Sequence, residues 1–259
     1  MIPKVIHYCW FGHGQLPSLT KRCIASWQKY LPDYDIKQWN EDNFDVNIIP
    51  YTSEAYREKK YAFVSDYARL WILYHYGGLY LDTDVELIKP MDHLLASGAF
   101  MCAETSVNRG KRLYVASGLG MASYPFHPFI KKSLDFYESI HFYEDDGTEP
   151  KTTVELLTSL LDEQGLKQTD QIQHVAGLTI YPWDYMCPID TEGRVKRITE
   201  NTVSIHHYMA SWNTRRKRFK KRVARILGSR ITVAIIKLKR ILKNQYNVSH
   251  FDCSTLLLF

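Results

Sequence analysis

Gly77–Glu86 reads GGLYLDTDVE: a glycine turn, a short apolar strand and two aspartates at the strand's C-terminal end. Asp82 and Asp84 are two residues apart. In a regular strand that spacing turns both side chains to one face. Two carboxylates on one face repel unless a positive charge sits between them, and a hard divalent cation meets that need. Leu79 and Leu81 before the pair, and Val85 and Leu87 after it, mark the strand as buried. A cation at the end of a buried strand beside a Gly-Gly turn suits a nucleoside diphosphate. A bare D-x-D would otherwise pass for a solvated acidic turn, so the flanking residues decide its meaning.

Upstream lies YAFVSDYARLWILYHY, Tyr61 to Tyr76. Val64, Ala68, Trp71 and His75 recur at helical spacing. Asp66 and Arg69, three apart, share another face. Gly77 and Gly78 end the helix, since glycine accepts left-handed C-cap geometry. The helix therefore feeds Asp66 and Arg69 towards the Asp82/Asp84 strand. Alone, such a pair is an exposed helix ion pair worth a few tenths of a kcal/mol.

The run SDYARLWILYHYGGLYLDTDVELIKP resembles the sugar-binding D-x-D region of glycosyltransferase family 32, the retaining Och1-type mannosyltransferases. It is distantly similar to the clostridial glucosylating toxins. IPKVIHYCWFG (Ile2–Gly12) resembles the family's first strand, and IHHYMASW (Ile205–Trp212) its closing motif. The resemblance covers residues 1–212. It implies a GT-A fold and a retaining, metal-dependent transfer of a hexose from a nucleotide-diphospho-sugar. It makes Asp84 a direct ligand of Mn2+ or Mg2+, and has Asp82 meet the donor or reach the metal through water. Asp66 and Arg69 would hold the sugar hydroxyls. Gly78 joins the donor-binding set, and Ser211 and Trp212 close over the donor phosphate. One of His206 and His207 completes the metal sphere or meets the diphosphate, because neighbours in a strand face opposite ways. Trp10, between a strand and the turn Phe11–Gly14, stacks on the base or packs in the core. Bacterial relatives favour a UDP-hexose and roles in capsule or lipooligosaccharide synthesis. One departure is Thr152-Thr153-Val154-Glu155, where many relatives carry Gly-Pro.

The whole chain agrees with an α/β reading. Its 259 residues allow one sizeable domain plus appendages. Strands are expected at 5–10, 35–39, 100–104 and 203–208. Helices are expected at 16–30, 53–59, 129–142 and 154–164, and an irregular extended segment at 179–189. This alternation predicts an α/β fold with a mostly parallel central sheet flanked by helices, with ligands beyond the strands' carboxyl ends. The Gly-rich stretch Val115–Ser123 is expected to let backbone approach a ligand. Five scattered cysteines form no C-x-x-C and fit a reducing cytosol. No apolar run reaches membrane-spanning length.

Residues 213–243 hold thirteen Lys/Arg and no acid; the chain's +5 minus these thirteen leaves −8 elsewhere. From Phe219 the apolar positions form one helical stripe opposite a basic face. That is the pattern of a helix lying on an anionic membrane rather than on nucleic acid. It points to a peripheral enzyme at the inner face of the cytoplasmic membrane, acting on a saccharide or lipid-linked saccharide. Residues 244–259 form a tail. Two other readings compete. A haloacid-dehalogenase-type phosphohydrolase wants its D-x-D near the chain start and Thr two places on, where this chain has Glu86. A non-catalytic carbohydrate-binding or membrane-adaptor protein has no need of four intact charged residues.

Overall fold

The computed structural model describes residues 1–105, 112–143, 152–189 and 198–209. The expected loop 108–112 (Arg112 apart), the turn 144–150, Ser211, Trp212, the basic segment 213–243 and the tail 244–259 lie outside the described residues.

β1 (Val5–Cys9) pairs in parallel with β2 (Asp35–Trp39) on one side and β3 (Gly78–Tyr80) on the other. Helix α1 (Ser18–Tyr30) connects β1 to β2. Helices α2 (Pro50–Arg57) and α3 (Tyr61–Tyr76) lead from β2 to β3. β7 (Met121–Ser123) then runs against β3, and β5 (Phe100–Ala103) against β7, so β5 regains the direction of β3. β9 (Leu178–Tyr181) continues in parallel, with β8 (Gln173–Val175) antiparallel at the edge and β6 (Val115–Ala116) paired to β5. Among the described residues, five of this sheet's eight strands share one direction. A separate ribbon joins β4 (Val85–Leu87) to β10 (Ser204–His206).

Alternation along the strands separates two cores. Ile6, Tyr8, Leu79, Leu81, Phe100 and Cys102 pack with Cys23, Trp27 and Leu31 of the α1 region and with Leu94 of α4 (Asp92–Ala96). Cys9, Tyr80, Met101 and Ala103 face the other layer, with Tyr67 and Leu70 of α3, Phe129 and Leu134 of α5 (Pro128–Glu138) and Leu157 of α6 (Thr153–Asp162). The sheet is thus covered on both faces, which is why its strands read as apolar runs. Thr152 and Glu155, the departure from the family text, form a capping box that starts α6.

Three expectations change. Asp82–Asp84 does not extend the strand: Val85 N–H donates to Asp82 O at 3.0 Å, so the pair sits in a tight turn between β3 and β4. α3 is buried on nearly every side, at Val64, Tyr67, Ala68, Arg69, Leu70, Ile72 and Leu73, whereas His75 is exposed. A stripe assumes one wet face along the whole helix, whereas α3, between the sheet and α5, opens to solvent mainly at its C-terminal end, at His75 and Tyr76. The 179–189 segment contains β9 and the short helix α7 (Trp183–Met186), because Pro182 serves as the N-cap instead of breaking the chain.

Candidate active site

Beyond the carboxyl end of β3 the chain gathers charges from α3, the β3–β4 turn, the turn before β7 and β10. Arg69, only 5% exposed, is the hub. Its Nη2 lies 2.9 Å from Asp66 Oδ1 and 3.2 Å from Asp82 Oδ1, and its Nη1 donates to Ser117 Oγ at 3.0 Å. The guanidinium lies over the Tyr80 ring, 5.0 Å from its centroid, and Tyr80 OH donates to Asp82 Oδ1 at 3.1 Å. Burial works against the charge on Arg69, but Asp82, Tyr80 and Asp66 together hold its pKa well above the ordinary value. Burial pushes the Asp66 carboxyl up, against the pull of Arg69. This pair therefore differs from an exposed helix ion pair: removing one partner would strand a buried charge.

Gly118 explains how Asp82 fits. A Cβ there would sit 2.9 Å from Asp82 Cγ, closer still to Oδ2, and 3.4 Å from Arg69 Nη1. Asp82 N–H also donates to Gly118 O at 3.1 Å. The Gly-rich stretch was expected to approach a ligand; it approaches the carboxylate that would hold one.

Asp84 is 7% exposed. The chain closes over it from β10. His206 Nε2 lies 3.1 Å from Oδ1, Met209 N–H donates to Oδ2 at 2.6 Å, and His207 N–H donates to the Asp84 carbonyl at 3.0 Å. Burial alone would raise the Asp84 pKa, yet His206 and the Met209 N–H bring it below the usual value. Burial likewise opposes charge on His206, and Asp84 raises its pKa over that. The His206 ring also lies against that of Tyr208, with centroids 4.2 Å apart and planes tilted by 55°. The ribbon is pinned from behind: Trp27 Nε1 donates to Val85 O at 2.7 Å, and Leu87 N–H donates to Ser26 Oγ at 2.9 Å.

Asp82, Asp84 and His206 each offer a ligand atom, all within 4.8 Å of one another. Two carboxylate oxygens and an imidazole nitrogen suit Mn2+ or Mg2+, with the nitrogen favouring manganese. Each carboxylate keeps lone pairs beyond those its hydrogen bonds use, so the residues fit a cation.

Two expected site residues are placed elsewhere. His207 points away from Asp84, with Nε2 2.7 Å from Glu86, because alternate side chains of the ribbon face opposite sides. Gly78, at the start of β3, is the far end of that strand from Asp82. Its positive φ of 98° and the closeness of Val5 O and His7 Nε2, 2.7 and 3.0 Å from an added Cβ, make it a packing glycine. Trp10 is half-buried, and its indole N–H donates to Gly14 O at 2.6 Å, shaping the turn after β1. Tyr80, Ser117 and Gly118 were not singled out as site residues. Tyr80 could have been: two residues before Asp82, it shares the face that carries Arg69.

Residues 17–101 match the family model described as the glycosyltransferase sugar-binding region containing a DXD motif. That span holds Asp66, Arg69, Asp82 and Asp84, whereas Trp10 and His206 fall outside it. Over 152 residues the chain is 30% identical to inositol phosphoceramide mannosyltransferase 1 of Schizosaccharomyces pombe, covering 54% of this chain and 42% of that one. It is 27% identical over 195 residues to mannosyl phosphorylinositol ceramide synthase CSH1 of Saccharomyces cerevisiae, covering 71% and 49%. The chain thus spans less than half the length of these relatives. Among solved structures, PaToxG glycosyltransferase aligns with a TM-score of 0.48 at 20% identity, over 63% of this chain and 70% of that one.

Proposed function

We propose that this chain, whose residues 17–101 match the DXD-containing sugar-binding region of glycosyltransferases, is a retaining, metal-dependent glycosyltransferase moving a hexose from a nucleoside-diphospho-sugar to a saccharide acceptor. The observation that carries this reading is the convergence of Asp82, Asp84 and His206 within 4.8 Å beside the buried Asp66–Arg69 pair. A divalent cation held by the three would neutralise the donor diphosphate and the charge that grows on the departing nucleotide. The protein's own part is positioning. Arg69, fixed by Asp66, Asp82 and Ser117, presents a rigid fork of donors to the sugar and phosphate. Asp66, held by Arg69, accepts hydrogen bonds from sugar hydroxyls. Tyr80 and Gly118 fix the angle of Asp82. Retention is read as front-face attack, the leaving phosphate oxygen taking the acceptor's proton, with the rate drawn from orientation and charge stabilisation.

The acceptor is read as a saccharide on a lipid, in surface-polysaccharide synthesis. Relatives named for inositol phosphoceramide support a lipid acceptor. The basic amphipathic pattern of 213–243 supports attachment to an anionic inner membrane surface. No described helix is long and apolar enough to cross a membrane. UDP-hexose is the donor favoured by the resemblance, and the choice of base turns on the residues around Trp10.

A donor panel tests the reading. Purified protein, with and without Mn2+, is offered UDP-glucose, UDP-galactose, UDP-N-acetylhexosamine and GDP-mannose, and released nucleotide is recorded. Metal-dependent release from one donor is expected. If no nucleotide sugar turns over and none binds in the presence of metal, the reading fails.

A further inference from the structure

We infer that Glu41 reads the base of the donor nucleotide, and that it selects guanine over the uracil favoured by the resemblance. The inference rests on the donor site proposed above.

Glu41 lies two residues past the end of β2, as Asp82 lies two residues past the end of β3. β1 separates the two strands in the sheet. Neighbouring strands are about 4.8 Å apart and β2 runs two residues further along β1 than β3 does, so the backbones of the two acids stand about 12 Å apart at the same end of the sheet. A nucleoside bridges such a gap from base to diphosphate. Trp10 leaves β1 between them.

The Glu41 carboxylate is built, not loose. Its Oε1 accepts Gly12 N–H at 2.6 Å and Tyr56 OH at 2.9 Å. These bonds, with His13 Nε2 3.9 Å away, hold its pKa down although burial pushes the other way. Its Oε2 is buried with no hydrogen-bond partner. A fixed anion with a buried, empty acceptor carries a desolvation cost that an arriving N–H donor relieves. The turn beside it is built from Gly12 and His13, both at positive φ (91° and 55°). Gly12 is pressed against the Tyr61 ring, and no larger residue would fit there. The His13 side chain, with Nε2 3.9 Å from Oε1, is 69% exposed, and it is the group that an incoming base would displace.

The chemistry then chooses the base. Guanine presents N1–H and the N2 amine side by side, two donors converging on one carboxylate. Uracil presents a single N3–H between two carbonyl oxygens, which face the carboxylate and repel it. A good two-donor pair discriminates by roughly five- to 150-fold.

Calorimetry with Mn2+ and three probes tests this: GDP, UDP and IDP, whose base lacks the N2 amine. Wild-type protein is expected to bind GDP at least about fivefold tighter than UDP, with IDP between them. Glu41→Gln keeps an oxygen for Gly12 N–H and Tyr56 OH but puts an amide N–H2 in place of Oε2. It should erase the preference for GDP while leaving UDP unchanged or tighter. Wild-type protein that binds UDP as tightly as GDP overturns the inference and leaves the donor reading standing. So does a Glu41→Gln variant that weakens both equally, the mark of a mere structural clip. If none of the three binds with metal present, the donor reading and the inference fall together. The wild-type comparison holds even if the variant fails to fold, which a melting curve would reveal.

Discussion

Gly118→Ala probes the site without removing a single functional group. The backbone at Gly118 is outside the left-handed region, so alanine brings no φ strain. Its Cβ would instead sit 2.9 Å from Asp82 Cγ and nearer to Oδ2, where ordinary contact begins at 3.4 Å. Cγ alone must give way by 3.4 − 2.9 = 0.5 Å, and Oδ2 by more. The carboxylate therefore moves by on the order of 1 Å, a misplacement that costs about 10²-fold in rate when it reaches the reacting geometry. Asp82 is also gripped by Arg69 at 3.2 Å and Tyr80 at 3.1 Å, so the shift disturbs the hub as well as the candidate cation site. Overpacking of a buried contact should cost a further 1–3 kcal/mol, roughly, in stability. The assay is Mn2+-dependent release of nucleotide from the active donor, with Mn2+ binding by calorimetry and a melting curve alongside. A drop near 100-fold with weaker Mn2+ binding is expected, from protein that still unfolds cooperatively. Activity within about threefold of wild type would show that Asp82 can retreat without consequence. The role given to Gly118, and the dependence on Asp82's angle, would then be wrong.

Three further outcomes follow from the same contacts. Removing His206 and His207 singly (each to Ala) should separate them: the first should weaken Mn2+ binding by at least about tenfold and the second far less, and equal losses would sink the assignment of His206 over His207. His7 is 2% exposed; burial lowers its pKa to about 4 from 6.5. It stays neutral, accepting Trp39 Nε1–H on Nδ1 at 3.1 Å and donating Nε2–H to Gly77 O at 3.0 Å. Between those pKa values the unfolded chain binds the extra proton, so the His7 contribution to stability is present near pH 7 and lost as the pH falls towards 4. The loss between pH 7 and 5 comes to about 2 kcal/mol. Denaturant unfolding at both pH values should show it in the wild type and not in His7→Gln, and parallel losses in the two proteins would refute it. Deleting residues 213–259 should shift the protein from vesicles rich in anionic lipid to the supernatant in a sedimentation assay; unchanged partitioning would end the membrane-anchor reading. Because Trp212 borders the cut, nucleotide release must be recorded for the same truncated protein.

What the sequence made legible was what local pattern and a specific motif can carry. β2 is visible as Asp35–Trp39 because a turn bounds it on each side. The α/β alternation, the helix before Gly77 and the grouping of Asp66, Arg69, Asp82 and Asp84 come from spacing and from the D-x-D text. That text also named the glycosyltransferase class that the family model and the relatives bear out. Pairings between distant segments were not legible. The reversed strand β7 in mid-sheet is three residues long, too short for a periodic signal. The choice between His206 and His207 needs the register of β10 on β4, which sets His206 opposite Val85 and leaves His207 to Glu86. Gly118 is one glycine in a Gly-rich stretch until the carboxylate 36 positions earlier is seen against it.

These cases share a cause, and it bears on how the site works. The motif text supplies charges that repel or cost free energy when buried: Asp66, Asp82 and Asp84 on one side, Arg69 on the other. The groups that make the cluster tolerable come from elsewhere in the chain. Ser117 and Gly118 precede β7, and His206 and the Met209 N–H lie at and beyond β10. A buried ion cluster stabilises a fold only when its geometry is good and its remaining hydrogen bonds are met. The long-range partners thus decide whether the motif exists as a site at all. A site of this kind carries its charges in a short run of sequence and its precision in residues that no short run can display.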